Sequence, residues 1–171
     1  MSSVNIVVGL SGVGKSTVIG KSIETSESDY QLINYGDRML SLARDRDIVE
    51  DRDEMKNIER ATYKEIQMDA AESIAEDSNG GTVIVDTHAA IKSPFGYVPG
   101  LPKWTLEILE PETISMIDID SEEIVERRAE DPERNREADS VEAIEEYREV
   151  AREMAASGAV LTGAYFQDNP Q

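Results

Sequence analysis

Residues 9–17 read GLSGVGKST. The spacing Gly9-x-x-x-x-Gly14-Lys15-Ser16 sets three glycines, Gly9, Gly12 and Gly14, around one lysine. Glycine lets a backbone curl until successive N–H groups converge, and converging N–H groups bind anions. Leu10, Ser11 and Val13 complete the loop and lend their own backbone N–H groups. A helix starting at Lys15 would add the partial positive charge of its N-terminus. Lys15 then reaches the outer oxygens of a phosphate chain. Ser16 offers a hydroxyl to a Mg²⁺ ion on that chain, and Thr17 bonds the innermost phosphate. The chemistry implied is capture of a magnesium triphosphate. A glycine turn with an incidental lysine is the alternative. An apolar strand-like run before the loop and a helical pattern after it argue against that.

Asp86 closes the apolar run VIVD at 83–86. In P-loop proteins, an acid at this place holds Mg²⁺ directly or through water; an Asp that caps a turn is the other reading. Four arginines, Arg127, Arg128, Arg134 and Arg136, fall within one otherwise acidic stretch. Arg suits bidentate contact with phosphate. A segment of about 127–140 bearing several could close over a nucleotide as a lid and exclude water. The competing reading pairs them on the surface with Glu126, Glu130, Asp131, Glu133 and Glu137. A guanine-nucleotide switch is excluded, because no Asn-Lys-x-Asp motif occurs and Asp86-Thr87-His88-Ala89 has Ala where such a switch has Gly. A motor or transporter ATPase is usually larger. A kinase of small molecules is favoured, since it needs mobile arginines to neutralise the phosphoryl group in flight.

The elements that would position these residues alternate. Val4–Val8 reads as a strand buried on both faces, followed by a helix over Lys15–Ile23. Leu32–Tyr35 is a second strand, with a helix from about Asp37 to Arg46. Met55, Ile58, Ala61, Ile66, Ala70 and Ile74 predict one long helix over Asp53–Asp77, stopped by Asn79-Gly80-Gly81. Val83–Asp86 is a third strand. A loop rich in Pro and Gly then runs from Thr87 to Pro102, before a helix around Trp104–Leu109. Ile114–Ile119 is a fourth strand, and Ser121 is expected to cap a helix through Arg128. Ser140 opens a last helix that Gly158 or Gly163 ends. Alternating strands and helices predict a single α/β domain over 1–171: a parallel sheet flanked by helices, a three-layer P-loop NTPase fold. Ligands of such sheets lie beyond the carboxyl ends of the strands. The glycine loop, Asp86-Thr87-His88 and the residues after Ile119 all fall there.

Composition narrows the setting. Lys and Arg total 17 against 36 Asp and Glu, a formal net charge of −19. With 39% hydrophobic residues the chain can still build a core, so this is no disordered acidic tail. Lys is scarce beside Arg, and acids sit on nearly every helix. That reads as a halophilic protein, soluble where screening acts within about 3 Å at 1 M salt; an ordinary acidic bacterial protein is the alternative. A nucleic-acid partner is disfavoured. No apolar run approaches the roughly 18 residues of a membrane span. The opening MSSVNIVV lacks the pattern of a secretory signal, and there is no Cys for disulfides or thiolate metal sites. The expected setting is cytoplasmic.

The acceptor of the phosphoryl group is legible only by resemblance. NYGDRM, VEDRDEM, DTHAAIKSPFGYVPGLPKW and AVLTGA, with the lid-like ERRAEDPERNRE, lie in order along the chain and resemble archaeal adenylate kinase. The resemblance implies reversible transfer from ATP to AMP with Mg²⁺. It also implies a helical AMP-binding part at about 36–80, a lid, and the homotrimer common among archaeal members. By position, Gly9–Thr17 would hold ATP, and Ser16 and Asp86 the metal. Gly36, Arg38, Arg52, His88 and the Gly100-Leu101 turn would surround AMP. Lys15 and the four arginines would serve transfer. Trp104 and Tyr97 read either as packing residues or as flanks of a base. A CMP or UMP kinase, or an ATP-binding paralogue that transfers nothing, stays open. In the family, LTGA leads into another strand and a final helix. Here LTGAYFQDNPQ ends the chain, so a fifth strand is expected to be short or missing.

Overall fold

The computed structural model describes residues 3–27, 29–131 and 139–170. Five parallel strands form one sheet in the order β2-β3-β1-β6-β7, comprising β2 (Tyr30–Asn34), β3 (Thr82–Thr87), β1 (Ser3–Val8), β6 (Thr113–Asp118) and β7 (Tyr165–Pro170). The central strand β1 explains the arrangement. Val4, Ile6 and Val8 point to one face and are buried, with Val83 and Val85 beside them on β3 and Ile114 and Met116 on β6. Alternation of period two puts these side chains on the same face, where α3 (Arg60–Ser78), α4 (Lys103–Leu109) and α6 (Val141–Thr162) cover them.

The opposite face mixes apolar residues such as Val7 and Ile84 with polar ones and is only half-buried, so β1 is not buried on both faces as expected. Asn5, Thr113, Ser115 and Gln167 line a groove of about 530 Å³ against the end of α1 (Lys15–Glu24). Thr113 donates to Asn5 Oδ1 at 2.8 Å and Ser115 to Gln167 Oε1 at 2.8 Å, so hydroxyl and amide groups bond across neighbouring strands there.

Several expectations are corrected. Tyr35 belongs to a helix, α2 (Tyr35–Asp45), rather than to the second strand. Its hydroxyl donates to the Gln67 carbonyl at 2.8 Å and lies 3.0 Å from Thr105 Oγ1, which ties α2 to α3 and α4. The long helix over 53–77 is two pieces: a 3₁₀ turn at Asp53–Asn57 and then α3, because Ile58 and Glu59 are extended. Helical spacing alone does not register such a break. The loop from Thr87 to Pro102 contains a hairpin, β4 (Ala90–Ser93) with β5 (Gly96–Pro99), turning at Gly96 with φ 122°. Asp120, not Ser121, occupies the N-cap of α5 (Ser121–Ala129), and Ser121 is bonded to Glu145 instead. Gly158 lies inside α6. A Cβ there would stand 3.0 Å from Leu106, so the glycine serves close helix packing while Gly163, at φ 76°, ends the helix. The fifth strand is present in six residues, paired with β6 from Thr113↔Tyr165 through Asp118↔Pro170.

Candidate active site

The glycine loop connects β1 to α1 at the carboxyl edge of the sheet. Gly12 and Gly14 have φ of 101° and 84°, a region costly for any other residue, and Gly14 is the N-cap of α1. Gly9 has a different reason. A Cβ there would sit 2.7 Å from the Ile117 carbonyl oxygen, so only glycine lets the loop leave β1 against the end of β6. Lys15 is the first residue of α1, and Ser16 and Thr17 stand exposed beside it.

Lys15 Nζ lies 2.5 Å from Asp86 Oδ1 and donates to the Thr87 carbonyl at 2.8 Å. Both charged side chains are nearly buried, at 10% and 12% exposure, so their attraction is little screened by solvent. Among the described residues, Asp86 Oδ1 meets the Lys15 ammonium and accepts no further hydrogen bond, although it is buried. A hard cation is the partner such an oxygen suits. Among the described residues no three acids or histidines gather as a metal cage. Mg²⁺ is commonly held by one or two protein oxygens together with substrate phosphates. The Ser16 hydroxyl and the Asp86 carboxylate are oxygen donors of the kind such an ion takes.

Arg127 and Arg128, in the last turn of α5, reach the loop. Arg128 Nε donates to the Ser11 carbonyl at 2.9 Å while its Nη1 meets Asp139 at 2.5 Å. Arg127 Nη1 lies 3.4 Å from the Gly12 carbonyl, and the same side chain pairs with Glu123. Arg134 and Arg136 lie outside the described residues.

The residues expected around the acceptor divide. Gly36 follows β2, next to β3, and a Cβ there would stand 3.2 Å from Arg52 Nη1. Arg52 pairs with Asp37 in an exposed contact. Those residues share one corner of the carboxyl edge. Arg38 points elsewhere, bonding Ser73 Oγ and Asp77 Oδ2 (2.9 Å) on α3. His88 Nδ1 lies 2.9 Å from the Gly9 carbonyl. Gly100 donates its N–H to the Ala89 carbonyl at 2.9 Å, and a Cβ on it would overlap the His88 carbonyl oxygen. Leu101 is buried in the core. Trp104 packs with Lys64 over its ring at 4.5 Å and donates to Gln67 at 3.2 Å. Tyr97 meets Tyr147 edge-on at 5.2 Å. Both aromatics make packing contacts here.

Sequence reasoning missed one network. Asp118, at the end of β6, accepts Arg148 Nε and Nη2 at 2.8 Å each and Arg152 Nη2 at 2.6 Å; Arg152 also reaches Asp168 on β7 at 2.9 Å. Desolvation works against the Asp118 charge, but the two guanidinium groups overcome it and hold the carboxyl below its usual range. The signal was available: Arg148 and Arg152 are four residues apart on α6, hence on one face.

Comparison with known proteins agrees with this geometry. A family profile described as an AAA domain matches residues 8–145. Among solved structures, shikimate kinase from Bacteroides thetaiotaomicron superposes with a TM-score of 0.58 at 13% identity, covering 98% of this chain and 87% of that one. A sugar kinase from Janibacter sp. HTCC2649 gives 0.53 at 13%, covering 99% and 86%. These likenesses are of fold. Adenylate kinase from Methanothermobacter thermautotrophicus is 42% identical over 93% of this chain and 85% of its own. That of Thermoplasma acidophilum is 41% identical over 94% and 85%, and that of Methanopyrus kandleri 43% over 96% and 86%. Identity of this order over nearly the whole length, on a kinase-like parallel sheet with a complete phosphate loop, makes the chain a phosphotransferase of the adenylate kinase family.

Proposed function

We propose that this protein transfers a phosphoryl group reversibly from ATP to AMP, giving two ADP, with Mg²⁺. The observation that carries the proposal is the juxtaposition of Lys15 and the hydrogen-bond-poor Asp86 Oδ1 beneath the glycine loop, one strand away from Gly36 and Arg52. A phosphate oxygen of AMP attacks the γ-phosphorus, the bond to the β–γ bridging oxygen breaks, and ADP leaves. The acceptor is already an anion, so no general base is needed. Positioning and charge neutralisation supply the rate. Lys15 and the loop N–H groups bind the β and γ oxygens. Mg²⁺, held by Ser16 and Asp86, would neutralise charge on those oxygens.

The acceptor corner comprises Gly36 and Arg52, in a helical part of about 36–80, together with the Gly100-Leu101 turn. Arg127, Arg128, Arg134 and Arg136 belong to a lid of about 127–140. The reading extends to a homotrimer, as the archaeal resemblance implies, and to a halophilic, cytoplasmic setting. The net charge of −19 supports the halophilic part. No helix among the described residues is long and apolar enough to cross a membrane.

A coupled assay in molar KCl with Mg-ATP and each of AMP, CMP, UMP and GMP tests the proposal. AMP is expected to give the highest kcat/KM. Preference for a pyrimidine acceptor, or ATP binding with no acceptor-dependent ADP, would overturn it.

A further inference from the structure

A loop that turns its N–H groups inward toward phosphate must turn its carbonyls outward, and outward carbonyls need donors. Four consecutive carbonyls of this loop have them. Gly9 receives His88 Nδ1 at 2.9 Å, Leu10 receives the Val13 N–H at 3.3 Å, Ser11 receives Arg128 Nε at 2.9 Å, and Gly12 has Arg127 Nη1 at 3.4 Å. Three of these donors are side chains brought from distant parts of the chain.

Each donor is itself held. Asp139 fixes the Arg128 guanidinium at 2.5 Å, and the Arg128 stem packs under Gly12, where a Cβ would lie 3.4 Å from its Cγ. The backbone of His88 is pressed against Gly100, which alone among residues fits there and bonds Ala89 at 2.9 Å. A carbonyl can only accept, so the His88 ring carries its hydrogen on Nδ1 in this contact. Bonding a donor to a peptide carbonyl also polarises that peptide, which makes the N–H on its other side a stronger donor. For Gly9 that N–H belongs to Leu10, and for Ser11 it belongs to Gly12.

We propose that His88 is a positioning residue of the triphosphate site, with Arg128 as its counterpart. Its Nδ1–H holds the Gly9 carbonyl outward as Arg128 holds that of Ser11, and the two keep the loop's N–H groups aimed at phosphate. This moves His88 from the acceptor side, where the family resemblance put it, to the donor side. The inference rests on the loop binding ATP, as in the function proposed above, but not on which acceptor is used.

The test is ATP binding by calorimetry in molar KCl with no acceptor present, followed by KM for ATP and for AMP. His88→Ala should weaken ATP binding about five- to tenfold, the range of one lost hydrogen bond. His88→Asn, whose Nδ2 stands where Nδ1 does, should recover to within about twofold of wild type, whereas His88→Gln should not, because its donor lies one bond further out. KM for AMP should move less than about twofold in all three. Arg128→Gln should weaken ATP binding in the same sense. A raised KM for AMP with ATP binding unchanged would make His88 an acceptor contact and overturn the proposal. So would an Asn variant as weak as Ala. Failure of the wild-type protein to bind ATP would instead refute the functional reading itself.

Discussion

Asp118→Asn is the most informative single substitution for the scaffold. The Asp118 carboxylate is 3% exposed and takes three guanidinium N–H groups, from Arg148 and Arg152, as well as the Ile119 N–H at 3.0 Å. The carboxamide keeps one acceptor and turns an N–H₂ toward an arginine. Breaking a buried ion pair typically costs about 3–5 kcal/mol. The lower end applies here. Arg152 is one-third exposed and keeps Asp168, and Arg148 keeps Glu145 and Ser121. A loss of about 3 kcal/mol corresponds to about 6–12 °C in Tm for a domain of this size.

The pH dependence sharpens the test. The folded-state pKa of Asp118 lies below its ordinary 3.8, so the carboxylate's contribution is present above 3.8 and is lost as pH falls through the lower folded value. The stability difference between wild type and Asp118→Asn should therefore be flat from neutral pH down to about 5 and shrink only below about 4. Urea unfolding across that range in molar KCl reads it. Because the pair is buried, salt should change the difference little. A loss under about 1 kcal/mol at pH 7, or a difference that changes between pH 5 and 7, would refute the assignment of this network as the anchor of β6 and β7 on α6.

Lys15→Ala should lower kcat at least about a hundredfold, since it removes charge stabilisation in the transition state, and should lower Tm without abolishing folding, since it leaves the buried Asp86 carboxylate without its cation; near-normal turnover in a coupled assay would contradict the role. Tyr35→Phe should cost about 1–3 kcal/mol in urea unfolding, because the buried Thr105 hydroxyl and Gln67 carbonyl lose their shared partner. Burial pushes the Tyr35 hydroxyl pKa well above its ordinary range, so this contribution should stay constant through neutral and mildly alkaline pH. Lowering KCl from molar to millimolar should unfold the protein through self-repulsion of its net −19 charge, as followed by circular dichroism; full structure in dilute buffer would count against a halophilic origin.

How much was legible depended on how local the determinant is. The loop was readable because Gly12 and Gly14 need positive φ and Lys15 must open a helix, all within nine residues. The sheet was readable because Val4, Ile6 and Val8, with VIVD, carry the burial pattern in the residues themselves. The break at Ile58–Glu59 was not, since both flanking pieces keep apolar residues near helical spacing. The hairpin at 90–99 was hidden by glycines and prolines that equally suit an open loop. Arg38 and Arg52 look alike in sequence, and only packing tells them apart: α3 offers Asp77 to one, and Asp37 meets the other beside Gly36. For Asp118, the spacing of Arg148 and Arg152 shows that they share one helix face, but nothing in a single sequence names the acid 30 and 34 residues away that this face meets.

A protein of net charge −19 that binds a polyanion must reverse its own field locally. Among the described residues at the loop the reversal does not come from surplus cations. Lys15, Arg127 and Arg128 are matched one for one by Asp86, Glu123 and Asp139, three positive groups against three negative. What remains is the convergent set of N–H groups and the N-terminus of α1, fixed dipoles that act at contact distance. Charges steering a ligand from afar are screened within about 3 Å in molar salt, whereas a desolvated N–H to phosphate contact is hardly touched. Affinity then depends on how accurately the loop is held, not on how much positive charge surrounds it. Under that condition the donors behind the loop, His88 to Gly9 and Arg128 to Ser11, matter as much as the groups that face the phosphate.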